Sequence, residues 1–335
     1  MQHHLNSETA FPYRTVEYEQ VPCNLCGRDI VEVINRQDRN GLRVESCICK
    51  FCGLIYINPR MTSNWYGEYY KSEYRLQMAR FREMPASLPD YDEMFRKSTM
   101  HGIELAKCFK SIWRNGLTIE VGSSVGGVLN GIRQEIGVNV LGIEPSPDES
   151  NHANKHGIKT YTALIENFQG DLPPAENIVC TQSLNHFLDP RYFLTWAHRH
   201  LNLNGLLILE VMNFRQVFRR FGWMRRAIQI DHTYMFVTQS LANFVEAAGF
   251  EILQLESGER GQAASKPGVL PGMHIRIVAK KTEREPFADQ GRIREEYLSV
   301  MRSLNEVPVK PFRYFFKHRF KKWVKKTLRN PRTSR

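Results

Sequence analysis

Residues 117–144 constrain this chain more than any other stretch. Leu117, Ile119 and Val121 form a short apolar run that stops at Gly122, the pattern of a strand buried on both faces of a parallel sheet. Ser123, Ser124, Gly126 and Gly127 follow and open a helical segment. The serines stand where they can cap that helix, and Gly122 and Gly126 allow a sharp turn and a close approach by a ligand. A helix starting above a strand end turns its unbonded N–H groups toward whatever sits over the turn. The next apolar run, Val138 to Ile143, ends in Glu144, 24 residues after Glu120. A carboxylate at the tip of the neighbouring strand can accept from both hydroxyls of a ribose. Strand, turn, helix, strand and terminal acid together predict a doubly wound α/β sheet with a nucleoside site at its carboxyl edge.

Cysteine placement predicts a second module. Five of the seven cysteines lie within residues 23–52, whereas Cys108 and Cys180 stand alone among apolar neighbours. Cys23-Asn-Leu-Cys26-Gly27 and Cys49-Lys-Phe-Cys52-Gly53 are two Cys-x-x-Cys-Gly knuckles separated by 22 residues. Four thiolates at this spacing suit a tetrahedral Zn2+ ribbon, and four protein ligands leave no position for water, so the metal is expected to be structural. Glycine after each pair lets the backbone amides fold back onto the sulfurs. Cys47 is a spare that could replace Cys49, although the spacing to Cys52 favours Cys49. Clustered thiols of this kind fit a reducing cytoplasm better than a disulfide framework.

The rest of the chain divides around these two blocks. The expected plan is a loose leader over 1–20, the zinc module over 21–62, a helical linker or cap over 63–115, the α/β domain over 116–282 and a basic tail over 283–335. Helical periodicity runs from Tyr91 to Trp113, through Met94, Phe95, Ile103, Leu105, Phe109 and Ile112. Residues 148–156 read as a second helix and Gly157–Tyr161 as a third strand. The run from Asn177 stops at Gln182-Ser183, again at the carboxyl edge, before Asn185-His186 and Asp189-Pro190. Leu201–Asn213 reads as a helix end, a glycine turn and a buried fifth strand. Residues 214–230 form an apolar, arginine-rich insertion (Arg215, Arg219, Arg220, Arg225, Arg226), whose guanidinium forks suit a phosphate or simply a solvated face. Thr238 is expected to cap a helix that Gly249 ends, and His274–Ala279 is the last strand.

Residues 20–280 resemble the class I S-adenosylmethionine (SAM) dependent methyltransferases. Glu120, Gly122, Ser124, Gly126 and Glu144 match that family's first motif and the ribose-holding acid, with Ser124 in place of the usual middle glycine. Gln182 and Ser183 align with the next cofactor-facing strand end. The closing phrase Cys52-Gly-Leu-Ile-Tyr-Ile-Asn-Pro-Arg60 and the stretch His232-Thr-Tyr234-Met-Phe236-Val-Thr238 resemble bacterial sugar and secondary-metabolite methyltransferases with an N-terminal zinc-binding module. The large C-terminal domain of some sugar C-methyltransferases has no counterpart here. The resemblance implies a mostly parallel Rossmann-like sheet with its last strand antiparallel, and methyl transfer to a small-molecule or glycan acceptor. It implies that His232 sits over the transferred methyl, where a histidine can act as the catalytic base, with Tyr234 or His186 orienting the acceptor. Family members commonly carry Glu-His where this chain has Asn185-His186, which removes a carboxylate from that position. An RNA methyltransferase and a non-catalytic scaffold in a glycan-assembly complex are the alternatives.

The net charge of +11 has an address. Residues 310–335 hold eleven Lys and Arg and no acid, so the first 309 residues balance at 35 basic and 35 acidic groups. A general nucleic-acid surface is disfavoured, because its positive charge should spread over a working face. Phe312, Phe315, Phe316, Phe320, Trp323, Val324 and Leu328 line one face of an expected tail helix over 312–329, opposite the basic residues. That pattern leaves three readings open: a peripheral contact at the inner face of a membrane, docking on the chain's own domain, or RNA contact. No apolar run reaches the length of a membrane span and no secretory leader is visible, so a cytoplasmic protein is expected.

Overall fold

The computed structural model describes residues 11–13, 15–74, 76–77, 90–258, 270 and 272–308. The expected tail helix, and most of the polar loop after Gly258, lie outside the described residues.

The N-terminal part is built from β1 (Tyr18–Glu19), β2 (Val31–Gln37), β3 (Arg43–Cys49), β4 (Ile55–Ile57) and β5 (Arg60–Met61). β1 pairs antiparallel with β5, so residues expected to be a loose leader are already folded. Phe11 is buried, edge-on to Tyr13, Trp65 and Tyr69. Helix α1 (Ser63–Ser72) follows, with Tyr66 and Tyr69 on its buried face. Helix α2 (Tyr91–Phe109) starts at Asp90, whose side chain accepts from the Glu93 N–H.

The α/β core then runs β6 (Thr118–Val121), α3 (Gly127–Ile136), β7 (Val140–Glu144), α4 (Pro147–Lys155), β8 (Thr160–Thr162), β9 (Ala175–Thr181), α5 (Pro190–His200) and β10 (Leu201–Met212). Short helices α6 (Phe214–Phe221) and α7 (Met224–Ala227) precede β11 (Tyr234–Met235), α8 (Thr238–Ala247), β12 (Phe250–Ser257), β13 (His274–Lys281) and α9 (Tyr297–Asn305). Seven strands form one sheet in the order β12-β13-β10-β9-β6-β7-β8. β10, β9, β6, β7 and β8 pair in parallel, and β13 is antiparallel to both β10 and β12. This is the expected Rossmann-like sheet. Its two faces are filled by helices, which explains why its strands read as continuous apolar runs. Helix α2 lies on α3 with backbones almost touching: a Cβ on Gly102 would fall 2.1 Å from the Val128 carbonyl oxygen.

Local differences from the sequence reading have physical causes. Leu201–Asn204, expected as a helix end, already belongs to β10, and a register shift between Leu201 and Leu206 absorbs the turn at Asn204 and Gly205. Neither Ser123 nor Ser124 caps α3; its N-cap is Gly126 in the left-handed region (φ 79°). Thr238 is the first residue of α8, and the capping hydroxyl is Ser240, which accepts from the Val237 N–H at 3.2 Å.

The strand β11 was hidden from sequence reasoning. Its two residues pair with β4, so the smaller sheet has the order β11-β4-β3-β2 and includes a piece of the α/β domain. Residues 283–308, expected to open the tail, also return to the N-terminal part. Glu296 and Tyr297 donate their N–H groups to the Phe51 carbonyl, and the Tyr297 hydroxyl donates to Glu32 at 2.6 Å. Asn24 joins the junction from the other side, donating to Asp189, the N-cap of α5, at 2.9 Å and accepting from the Arg191 N–H at 2.8 Å.

Candidate active site

The turn after β6 forms a cradle at the carboxyl edge. Gly122 (φ 76°) folds against Ser183, and a Cβ at position 122 would fall 2.3 Å from Ser183 Oγ. The Ser183 hydroxyl donates to the Gly122 carbonyl at 3.2 Å. Ser124 and Gln182 are both non-glycine residues at positive φ, 49° and 56°. Such strain persists where surrounding contacts fix the turn, and it clusters at ligand clamps. For Ser124 those contacts are visible: its N–H donates to Glu144 Oε2 at 2.8 Å and its hydroxyl to Glu149 at 2.5 Å. Ser124 therefore occupies the usual glycine position by anchoring the loop to the next strand and helix.

Two buried carboxyls face this cradle. Glu120 accepts from the Thr181 hydroxyl at 2.7 Å through one oxygen, and its other oxygen is buried without a partner. Burial pushes its carboxyl up to about 8. Glu144 accepts from the Ser124 and Ser146 N–H groups, one on each oxygen, and burial together with nearby Glu149 raises it to about 7. A carboxylate has about four acceptor sites, so Glu144 keeps capacity for two further donors. The Ser123 hydroxyl is likewise buried and unpartnered. A ligand carrying hydroxyl donors and positive charge fits this donor-poor set, and SAM has both. Glu120, Gly122, Ser124, Gly126, Glu144, Gln182 and Ser183 are thus gathered as the sequence reading expected, with Gly126 against the Ala153 side chain.

Beyond Ser183 the chain makes one short helical turn, Leu184–His186, which brings His186 against His232. The His186 and His232 rings stand edge-on, 4.7 Å between centroids. His186 Nδ1 lies 2.9 Å from the Asp231 carbonyl oxygen, 3.5 Å from its carboxylate and 3.1 Å from the Tyr70 hydroxyl. His232 is buried, and its imidazolium is disfavoured first by burial, then by His186 and Arg39. Its Nδ1 lies 3.4 Å from the Gln229 side-chain amide, the contact that sets which ring nitrogen carries the proton. A small cavity of about 10 Å³ beside it is lined by Asn185, Met212, Phe214, Val217, Gln229 and His232, among others.

Tyr234 is elsewhere. It is 1% exposed, stacked beside Tyr56 at 6.1 Å, and its hydroxyl meets the Leu188 carbonyl and Arg60 at 3.3 Å each. Its phenol is committed to the junction between the two sheets, so the acceptor-orienting role expected for it has no geometric support. Tyr70 and Asp231 contact His186 instead, and Gln229 contacts His232. Tyr70 was visible only as one of several aromatics without period. Asp231 and Gln229 flank His232 in sequence, a signal that adjacency alone could not separate from packing.

Asn185 explains the missing glutamate. Its Nδ2 donates to the Tyr234 carbonyl at 3.1 Å and its Oδ1 accepts from the Met212 N–H at 3.3 Å. A carboxylate can accept but not donate when ionised, so only an amide satisfies both backbone groups in this buried place.

The four expected metal ligands also converge. Cys23 and Cys52 sulfurs are 3.4 Å apart, Cys26 and Cys49 3.5 Å, and all four lie within 4.8 Å of one another. Sulfurs placed tetrahedrally around zinc at ~2.3 Å would stand roughly 3.8 Å apart, so the set fits. Backbone N–H groups of Arg28 and Cys52 donate to the Cys26 and Cys49 sulfurs. Donation from Cys23, Cys26 and Cys52 pulls Cys49 down toward the thiolate a metal requires. Cys47 is outside the cluster, its thiol turned to the Asn58 carbonyl at 3.3 Å.

The strand order, the glycine cradle and the acid at the tip of β7 define a class I SAM-dependent methyltransferase fold. Residues 103–255 match a family described as a methyltransferase domain. Cyclopropane mycolic acid synthase 1 of Mycobacterium tuberculosis is 25% identical over 126 residues, covering 34% of this chain and 44% of that protein. The chain thus spans under half the length of the curated relatives it matches. A SAM-dependent methyltransferase from Thermotoga maritima superposes with a TM-score of 0.43 at 18% identity, over 58% of this chain and 95% of that one. The plantazolicin methyltransferase in complex with S-adenosylhomocysteine (SAH) gives 0.48 at 12% identity, over 64% and 93%.

Proposed function

We propose that the protein transfers a methyl group from SAM to a hydroxyl or acidic carbon of a small, sugar-related acceptor. The observation that carries this reading is that the cofactor cradle and the His186–Asp231–His232 cluster adjoin at the same sheet edge, joined by the five residues Gln182 to His186. Bound SAM supplies an already activated methyl, so the protein's task is alignment, exclusion of water and removal of one proton.

His232 performs the last of these. Burial keeps its imidazole in the neutral form from which a general base must start, and the same burial lowers its basicity. Asp231, 3% exposed, holds His186 beside it, and the Tyr70 hydroxyl completes a polar wall able to orient an acceptor oxygen. Phe214 and Val217, on the cavity side of α6, exclude water. Arg219 and Arg220 of the same helix would meet an acceptor phosphate at the cleft mouth. Zn2+ held by Cys23, Cys26, Cys49 and Cys52 would play a structural part: the knuckle carrying Asn24 caps the segment that ends in α5, and β4 fixes β11 directly after His232.

The test is SAH release with a panel of nucleotide-linked sugars. His232→Ala is expected to lower kcat about 10²- to 10⁴-fold while SAH affinity is retained. Near-normal turnover by that variant would remove His232 as the base. Unchanged KM for a phosphorylated acceptor in Arg219→Ala/Arg220→Ala would remove the phosphate contact.

A further inference from the structure

Away from the cradle, at the outer end of α4, three metal-competent side chains face one another. His152 lies in the last turn of α4, and His156 is its C-cap, four residues on and so on the same face. Their rings are 4.4 Å apart at centroids and are packed by Phe95 of α2, 4.3 Å from the His156 ring. Asp92, in the first turn of α2, reaches across: its Oδ1 is 3.6 Å from His152 Nε2 and 4.0 Å from His156 Nε2. All three ligand atoms lie within 4.8 Å of one another.

Hydrogen bonding points the nitrogens inward. His156 Nδ1 lies 3.0 Å from the His152 carbonyl oxygen. A carbonyl only accepts, so the proton sits on Nδ1 and the Nε2 lone pair is left facing Asp92. His152 Nε2 is shut off from solvent and makes no hydrogen bond. The set is therefore one bare imidazole nitrogen, a second that is shut off from solvent and makes no hydrogen bond, and a carboxylate, with a backbone carbonyl fixing the tautomer of one ring. Metal-ligating histidines are oriented by this same kind of outer bond.

We propose that Asp92, His152 and His156 bind a late first-row divalent cation, of the Zn2+, Co2+ or Ni2+ class, which clamps the start of α2 to the end of α4. Imidazole and carboxylate suit those ions, and three protein ligands leave positions for water. Ligand atoms ~2.1 Å from one ion stand roughly 3.0–3.4 Å apart, so the side chains close by about 0.5–1 Å on binding. The clamp would tie α2 to the helix that braces the cradle, because α4 is capped by Ser146 beside Glu144 and its Glu149 accepts from Ser124. This site is independent of the four cysteines and of the histidines proposed for methyl transfer.

The experiment is calorimetric titration of Ni2+ into full-length protein that carries one zinc per chain, dialysed against a weak chelator so that only the four-cysteine zinc remains. One saturable equivalent is expected in the wild type, absent in His156→Gln and at least about tenfold weaker in Asp92→Asn. Ni2+ should raise Tm in the wild type and leave the His156→Gln protein unchanged. The substitutions are at the surface, and circular dichroism checks that each variant is folded. No saturable binding by the wild type would overturn the proposal. So would binding that survives His156→Gln, including binding lost only in His186→Ala, or an affinity unaltered by Asp92→Asn.

Discussion

Two sets of buried carboxyls sit in the same seven-stranded sheet and are treated in opposite ways. Glu210 of β10 is fully buried and ion-paired: Arg276 answers one oxygen, while the other, like one oxygen of Glu120, makes no hydrogen bond. Arg276 of β13 donates to it twice, at 2.8 and 3.1 Å, and His101 of α2 lies 3.2 Å from its other oxygen. Burial would raise its carboxyl, but His101 and Arg276 outweigh that and hold it at about 2. Glu120, two strands away on β6, receives one hydroxyl and keeps an oxygen without a partner. Its carboxyl is pushed up to about 8, and that of Glu144 to about 7. The sheet contains the means to pair a buried acid and does not use them at the cradle. Unanswered acids at the carboxyl edge mark where a ligand supplies the missing donors.

This contrast can be broken at several points. The largest expected effect is at Glu210. Arg276→Ala leaves a buried carboxylate with a single partner and should lower unfolding free energy by about 3–5 kcal/mol in urea titration. Adding Glu210→Gln removes the stranded charge and should recover a large part of that loss; if the double variant is no better than the single, the pair is not the source of the cost.

At Glu120 the sign reverses. Its folded value lies above the ordinary one, so its contribution to stability is present below about pH 4.5 and lost as pH rises through about 8. Ligand-free Glu120→Gln should match the wild type at pH 5 and exceed it by about 1–3 kcal/mol at pH 9. Glu210 acts in the other window: its contribution is present above about pH 4.5 and is lost as pH falls toward 2.

A smaller effect belongs to Glu144. Ribose hydroxyls favour the ionised carboxylate, so SAH affinity should rise about tenfold between pH 6 and pH 8. A flat profile would mean that Glu144 is already ionised without ligand. Of similar size is Asn185→Asp, which keeps shape and loses the donor to the Tyr234 carbonyl. It should cost about 1–3 kcal/mol at pH 7 by the same urea titration.

The cradle was legible because its signals are local: an apolar run, a glycine turn, and an acid at the end of the next run. The cysteine cluster was legible for the same reason, since two knuckles specify most of their own geometry. What escaped depends on distant pairing. β11 is two residues long, and its partner β4 lies nearly 180 positions earlier in the chain, so no periodicity could announce it. That pairing also explains Tyr234, whose neighbours in sequence suggested the acceptor site while its ring packs on Tyr56 of its partner strand in the smaller sheet. Asn185 looked like a lost glutamate until the carbonyl and N–H on either side of it were placed. The basic tail drew attention through its charge and its apolar stripe, whereas its first part, residues 283–308, proved to be packed structure. The Glu210–Arg276 pair was likewise invisible, since β10 and β13 each read as an ordinary apolar strand.

The most direct test of the central claim is calorimetric titration of SAH into the wild type and Glu144→Ala at pH 8. One site per chain is predicted in the wild type, weakened by at least about tenfold in the variant through the lost ribose contacts. Equal affinities, or no binding to the wild type at all, would contradict the assignment of this edge as a SAM cradle.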